Sequence, residues 1–286
     1  MKEKNGKLKD DVKTFVEYEK IKDERPNSFD VIGHIAIVEI PNKSREEKIK
    51  IAELIMNLNK HIKTVLEKKS ERKGIYRIRN YEFIAGENKT ETYHKEYGCV
   101  FVLDPTKVYF SPRELTERQR IASQVKEGES VLVMFAGVAP YAIQIAKKQP
   151  KVERIVCIEI NPVAVEYAKR NIRLNKVEDK IEIIEGDVRD VREDLIEKFD
   201  RIVMPLPLGA ESFLDIALKY IKRKGIIHFY NWGREPNIFE NGEKIIEENF
   251  KKFNIKYKIL EKRKVLPYGP RKWKVCFDIL VKKEND

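Results

Sequence analysis

An apolar run, Val131-Leu-Val-Met, ends in the small-residue turn Phe135-Ala-Gly137-Val-Ala-Pro140. A second strand-like run follows with an acid at its tip, Arg154-Ile-Val-Cys-Ile-Glu159, and then Asn161-Pro162. This order describes a nucleotide-binding βαβ unit. The turn lets a helix begin with its backbone N–H groups exposed, and a carboxylate at the end of the next strand can accept both hydroxyls of a ribose. Each piece alone occurs in many parallel α/β sheets. Together they limit the chain to a Rossmann-like sheet with a ligand at the carboxyl ends of its strands.

The glycine count narrows the ligand. A dinucleotide fingerprint needs three glycines so that backbone can approach a pyrophosphate, whereas Gly137 stands alone between Ala136 and Ala139. An adenosine ligand without phosphates fits better, and S-adenosylmethionine (AdoMet) is the commonest of these. Downstream, Ile181-Glu-Ile-Ile-Glu-Gly-Asp187-Val188 puts another acid just past a short β run, placed to meet the adenine amino group. The expected cofactor residues are therefore Phe135, Ala136, Gly137, Ala139, Glu159, Ile160, Asp187 and Val188, with Met204 and Pro205 at the end of a later strand.

With 286 residues the chain can hold one Rossmann-like domain and a smaller companion. Charged residues make up 37% and no apolar run is long enough for a transmembrane span, so no membrane is expected. The N-terminus shows no apolar signal region, which points to a cytoplasmic protein. Cys99, Cys157 and Cys276 are far apart in apolar runs and build neither a disulfide framework nor a metal site. His34, His61, His94 and His228 are scattered, and no metal is expected. The net charge of +11 favours a polyanionic partner, although lysine-rich chains also occur in thermophiles.

Residues 1–26 read as a charged arm, 27–107 as a small α+β domain that faces RNA, and 108–286 as the α/β domain. Val31–Ile40 suits one strand, ending at Pro41. Ser44 to Leu66 carries Ile49, Ala52, Ile55, Met56 and Leu58 at helical spacing, with Ser44 and Glu47 as a capping box. Ile75 to Ala85 and Thr90 to Leu103 read as two β segments joined by the turn Gly86-Glu-Asn-Lys. Beyond Val108, strands over Val131–Phe135, Val152–Glu159, Ile181–Glu185, Arg201–Val203 and Ile226–Tyr230 alternate with amphipathic segments, which implies a parallel doubly wound sheet. The last runs, Lys256–Leu266 and Lys272–Val281, have too short a link for a crossover and should pair antiparallel.

Several stretches carry a family resemblance: Gly74-Ile-Tyr-Arg77, His94-Lys-Glu-Tyr-Gly-Cys99, Lys107-Val-Tyr-Phe-Ser-Pro-Arg113-Glu-Leu-Thr-Glu117-Arg118, Glu159-Ile-Asn161-Pro162, Asn171-Ile-Arg-Leu-Asn175 and Gly186-Asp187. From about residue 29 to the end the chain resembles the archaeal and eukaryotic tRNA (guanine37-N1) methyltransferases. The resemblance implies a class I methyltransferase sheet with an antiparallel last strand, AdoMet as cofactor, and the anticodon loop of tRNA as partner; a monomer is the expected state. It implies Glu117 as general base and Arg77 as the contact to guanine O6. The chain is similar in particular to a branch of archaeal enzymes that also methylates a tricyclic wyosine precursor at the same position, so a second methylation of that precursor is expected with the first. The chain departs from the family pattern at Val133, Ala139 and Met204, the last opening Met204-Pro-Leu-Pro207 where the family usually has Asn-Pro-Pro or Asn-Leu-Pro.

The chemistry asks for such residues. N1 of guanine carries a proton and is a poor nucleophile, so methyl transfer needs a base at N1 and a cation or donor near O6, where negative charge collects. Arg113, one helical turn before Glu117, is placed to hold its carboxylate or a phosphate. Pairing of Glu117 with Arg113 or Arg120 on a solvated helix face is the bland alternative. Asn231, Trp232, Pro207 and Arg271 are the expected substrate contacts, with aromatics beside basic residues to stack an extruded base. Three readings stand: a tRNA guanine-N1 methyltransferase, an aminocarboxypropyl transferase of wyosine biosynthesis, and an RNA-binding protein that keeps AdoMet without turnover.

Overall fold

A computed structural model describes residues 29–72, 74–190, 192–206 and 209–283. The expected arm over 1–26 and Pro207 lie outside them. The chain divides into two units, Met1–His94 with Val102–Lys107, and Lys95–Phe101 with Val108–Asp286.

In the first unit, β1 (Asp30–Ile32), β2 (Ile35–Val38), β3 (Thr64–Lys68) and β4 (Tyr81–Gly86) form a four-stranded sheet in sequence order. β2 and β3 are parallel, so a crossover must join them. Helix α1 (Arg45–Leu58) is that crossover, and Ile51, Ala52 and Ile55 pack with Ala36, Val38, Val65 and Ile84. The capping box forms: Glu47 N donates to Ser44 Oγ at 3.2 Å and Ser44 N to Glu47 Oε2 at 2.7 Å.

Four expectations here need correction. Val31–Ile40 is two antiparallel strands, because Gly33 turns the chain at φ +57° and a Cβ there would lie 2.1 Å from Thr92 Oγ1. The helix stops at Leu58, where the Asn59 amide caps the Ile55 carbonyl at 2.9 Å, and β-branched Thr64 and Val65 begin a strand. Residues 74–77 form a turn in which Ile75 is 68% exposed, so strand structure starts only at Tyr81. The segment from Thr90 folds on itself instead of pairing with β4. β5 (Thr92–Glu96) and β6 (Cys99–Leu103) make a two-stranded sheet. Tyr97 and Gly98, both at positive φ, supply the turn a right-twisted hairpin favours.

The second unit is built on a seven-stranded sheet in the order β12-β13-β11-β10-β7-β8-β9. The parallel strands are β7 (Ser130–Met134), β8 (Arg154–Glu159), β9 (Ile181–Glu185), β10 (Phe199–Met204) and β11 (Ile221–Arg234). β12 (Lys256–Gly269) and β13 (Lys272–Lys282) pair antiparallel, and β13 is antiparallel to β11 as well, as expected. Helices α2 (Leu115–Gln124), α3 (Pro140–Lys148), α4 (Pro162–Leu174), α5 (Leu214–Tyr220) and α6 (Glu240–Lys252) complete it. One large core joins Leu132, Val156 and Ile202 to Phe229, Phe250 and Phe277. The strand order reverses at β7, with β8 on one side and β10 on the other. Open α/β sheets bind ligands at the carboxyl ends of such a switch point. β11 is longer than expected: Met204 at the end of β10 pairs with Phe229, so Tyr230–Arg234 run on past it with only β13 alongside.

Candidate active site

The turn after β7 is tightly coiled, with Phe135, Gly137 and Ala139 all left-handed at φ 58°, 55° and 64°. Such backbone costs about 1–2 kcal/mol for each non-glycine residue. It is held by the acid at the tip of β8. Gly137 N donates to Glu159 Oε2 at 2.7 Å and Asn161 N to Oε1 at 2.8 Å. Glu159 is 8% exposed, and burial raises its pKa despite backbone donors from Asn161, Gly137 and Ile160. Asn161 caps α4 through Val163 N, and the Asn171 amide holds the Val138 carbonyl at 3.2 Å. A bare backbone turn beside a buried carboxylate with lone pairs to spare suits a ribose diol. Asp187, expected at the adenine, is chelated by Arg189, whose guanidinium lies 5.7 Å over the Phe213 ring; Phe213 in turn meets Phe135 edge-on. The Arg189 bonds hold the Asp187 carboxyl below its ordinary pKa.

Glu117 lies on α2, only 4% exposed. Arg120 grips it with two bonds, Nε to Oε2 at 2.9 Å and Nη2 to Oε1 at 2.7 Å, and Tyr230 donates its hydroxyl to Oε1 at 2.6 Å. Arg263 stands 3.9 Å from Oε2. Of the two arginines weighed as its partner, Arg120 is the one that pairs with it, in a buried setting and not on a solvated face. Arg113 itself is exposed. A second acid, Glu114, pairs with Lys274 at 2.9 Å and accepts from Tyr109 at 2.9 Å. Burial alone would raise its pKa, but the Lys274 and Arg118 charges outweigh it and bring the pKa below the ordinary value. Lys274, 2% exposed, also donates to the Pro205 carbonyl at 3.1 Å. Tyr141, in the first turn of α3 and so directly behind the Gly137 turn, reaches Tyr230 at 3.4 Å and Glu114 at 3.5 Å. The two acids and the expected cofactor turn are therefore linked through a pair of tyrosines, Tyr141 to Glu114 and Tyr230 to Glu117.

Behind Glu117 runs a buried polar chain. Arg120 Nη1 donates to Asp278 Oδ2 at 2.6 Å, and His228 Nδ1 lies 2.7 Å from Asp278 Oδ1. Arg201 Nη1 lies 2.8 Å from His228 Nε2, and Arg201 binds Glu129 at 2.8 Å. A guanidinium can only donate, so His228 carries its proton on Nδ1 and accepts at Nε2. That requires a neutral ring, in keeping with a pKa lowered by burial. The Asp278 carboxyl is held far below its usual range despite burial, by bonds from His228 and Arg120. His228, Cys276 and Asp278 have metal-ligating atoms within 4.8 Å of one another. Two guanidinium groups already occupy that space, and burial pushes the Cys276 thiol well up, so the cluster is a hydrogen-bond network.

Other residues fall as follows. Met204 is wholly buried in the core, and Pro205 carries the polar contact at that strand end through its carbonyl. Val188 is buried, while Ile160 is partly exposed next to Glu159. Asn231 and Trp232 face opposite sides of β11: Asn231 is buried and accepts from the Asn241 amide at 3.1 Å, whereas Trp232 is partly exposed. Arg271 is exposed in the β12–β13 turn. Arg77, at φ 55°, lies in the first unit. Sequence reasoning missed Glu114, Tyr141, Lys274 and Asp278. For Lys274 and Asp278 the signal was present as polar residues at every second place in Lys272-Trp-Lys274-Val-Cys276-Phe-Asp278.

Residues 92–260 match the TRM5/TYW2 methyltransferase domain, and residues 9–90 match the TYW2 N-terminal domain. The chain belongs to the TRM5/TYW2 methyltransferase family. It is 42% identical over 256 residues to the tRNA (guanine(37)-N(1))-methyltransferase Trm5b of Pyrococcus abyssi, covering 90% of this chain and 75% of that one. The crystal structure of that wild-type Trm5b superposes with a TM-score of 0.83 at 41% identity, over 93% of this chain and 78% of the other. The tRNA (guanine(37)-N(1))/4-demethylwyosine(37)-methyltransferase Taw22 of Nanoarchaeum equitans is 33% identical over 88% of this chain and 99% of its own. Within this family the motif residues Glu96, Arg118 and Asn175 act as fasteners in the present chain. Arg118 Nε and Nη2 each bind Glu96 at 2.7 Å, and Asn175 clasps the backbone of Val100 at 2.9 and 2.7 Å.

Proposed function

We propose that the chain methylates N1 of guanine 37 in tRNA, with Glu117 as general base. The observation that carries this reading is the contact of Tyr141, on the helix that leaves the Gly137 turn, with the Tyr230 hydroxyl that is bonded to Glu117. AdoMet, the cofactor of the family, supplies an electrophilic methyl group when bound. The buried Glu159 carboxylate and the bare turn fit its ribose, and Phe135 and Val188 offer apolar surface beside them. Of the Glu117 oxygens, Oε1 already accepts two bonds and Oε2 only one within hydrogen-bond distance. Since each oxygen offers two lone pairs, Oε2 takes the N1 proton. Arg77 is assigned to meet the negative charge on O6, as the resemblance implies. The net charge of +11 suits a tRNA partner, and among the described residues no helix is long and apolar enough to cross a membrane.

The test is Glu117→Gln, assayed with a guanine 37 tRNA and, separately, with tRNA carrying 4-demethylwyosine. Nucleosides are identified by mass. Loss of a positioned base costs about 100-fold or more, so N1-methylguanosine formation should fall by that much while AdoMet binding persists; unchanged turnover would remove Glu117 from the role. The kinship with Taw22 favours a second methylation, on the wyosine precursor. A single added methyl on that tRNA supports it, and an aminocarboxypropyl mass would replace it.

A further inference from the structure

Tyr230 belongs to a row of side chains. β11 and β13 pair without a register shift from Lys224 opposite Lys282 to Arg234 opposite Lys272. Side chains alternate along a strand, so His228, Tyr230, Trp232 and Arg234 share a face with Lys272, Lys274, Cys276 and Asp278. The row runs from the buried network, past Glu117, to the rim of the sheet. At the rim the Trp232 ring lies 4.3 Å from Tyr268, centroid to centroid, and the Lys272 ammonium sits over both rings at 5.0 and 5.1 Å. A pocket of about 600 Å³ opens beside them, with Arg234, Asn237 and Lys244 in its wall. Its acid, Glu240, is tied to the Asn237 amide at 3.0 Å.

We propose that Trp232, backed by Tyr268 and flanked by Lys272, Arg234 and Lys244, is a stacking platform for one unpaired nucleotide that adjoins the target base in the RNA. This rests on the RNA-methylating reading given above. Every base presents a π-face to an aromatic ring, and the flanking cations answer the phosphates on either side. The spacing fits a neighbour rather than the target itself. Trp232 stands one side-chain repeat beyond Tyr230, about 6.6 Å along the strand, on the side away from the buried network.

Trp232 and Trp273 are the chain's two tryptophans, so Trp273→Phe leaves Trp232 as sole reporter. The protein is titrated with an anticodon stem-loop RNA bearing guanine 37, and with two versions in which the nucleotide on the 5′ or the 3′ side of it is abasic. Tryptophan fluorescence, affinity and methyl transfer are read together. The intact RNA should quench, one abasic RNA should not, and that RNA should bind on the order of tenfold more weakly. Trp232→Ala in the native background should bind both RNAs equally. Equal quenching by all three RNAs, or by guanosine monophosphate alone at the same concentration, overturns the platform. Quenching without methyl transfer keeps it and removes the enzymatic reading; methyl transfer without quenching does the reverse.

Discussion

Glu159 is the residue on which the expected cofactor depends most directly, and its surroundings set a pH dependence. Burial puts its pKa above the ordinary 4.5. A ribose diol donates hydrogen bonds, so it binds the ionised carboxylate and not the acid. The sign follows: affinity for an adenosyl ligand is full above the raised pKa and falls as pH drops through it, because binding must then expel a proton. Adenosylhomocysteine affinity, measured by calorimetry from pH 7.5 down to mildly acidic values, should weaken progressively. Glu159→Gln should bind weakly with no such trend. A wild-type affinity that stays flat to below pH 4.5 would mean that the carboxylate does not meet the ribose.

Among the elements, α6 shows how closely the core sets a helix on the sheet. A Cβ on Gly242 would lie 2.3 Å from Cε2 of Phe277 on β13. Gly242→Ala must displace an aromatic ring in the core, and overpacking of this kind costs about 1–3 kcal/mol. Denaturant unfolding should show that loss, although alanine ordinarily favours a helix over glycine; a gain in stability would show that the ring moves at little cost. The same elements show what was legible. The Gly137 turn, the acid of β8 and the antiparallel close of the sheet were readable because each is a local pattern with a period or a fixed breaker. The strand division at Gly33 was missed because its cause, Thr92 pressed against the glycine, is far away in sequence. The turn at Tyr97-Gly98 was missed because tyrosine at positive φ carries no strong sequence signal. Around Glu117, the motif and helical spacing brought up the pairing with Arg120, while the more distant groups were not legible: Tyr230 is 113 residues away and Asp278, reached through Arg120, is 158 residues from that arginine. Only the alternation in β13 hinted that its polar face was buried.

Over the whole molecule, a net charge of +11 is a long-range field, and its effect differs from that of the stacking platform. Lysines and arginines along the exposed edge strand β12, such as Lys258, Lys262 and Lys264, keep that edge from pairing with another sheet and add to the field. If tRNA is the partner, each phosphate neutralised releases counterions, and log affinity falls linearly with log salt by about 0.7–0.9 per contact. The dissociation constant for tRNA, measured between about 50 and 200 mM salt, should therefore rise steeply. Lys272→Gln should lower the slope by about one, as expected for a single phosphate contact. Trp232→Ala should shift the line without changing its slope, because stacking releases no ions. A slope near zero in the unaltered protein would assign the charge to solubility and edge protection alone, and a slope change with Trp232→Ala would mean that this ring orders the cations around it.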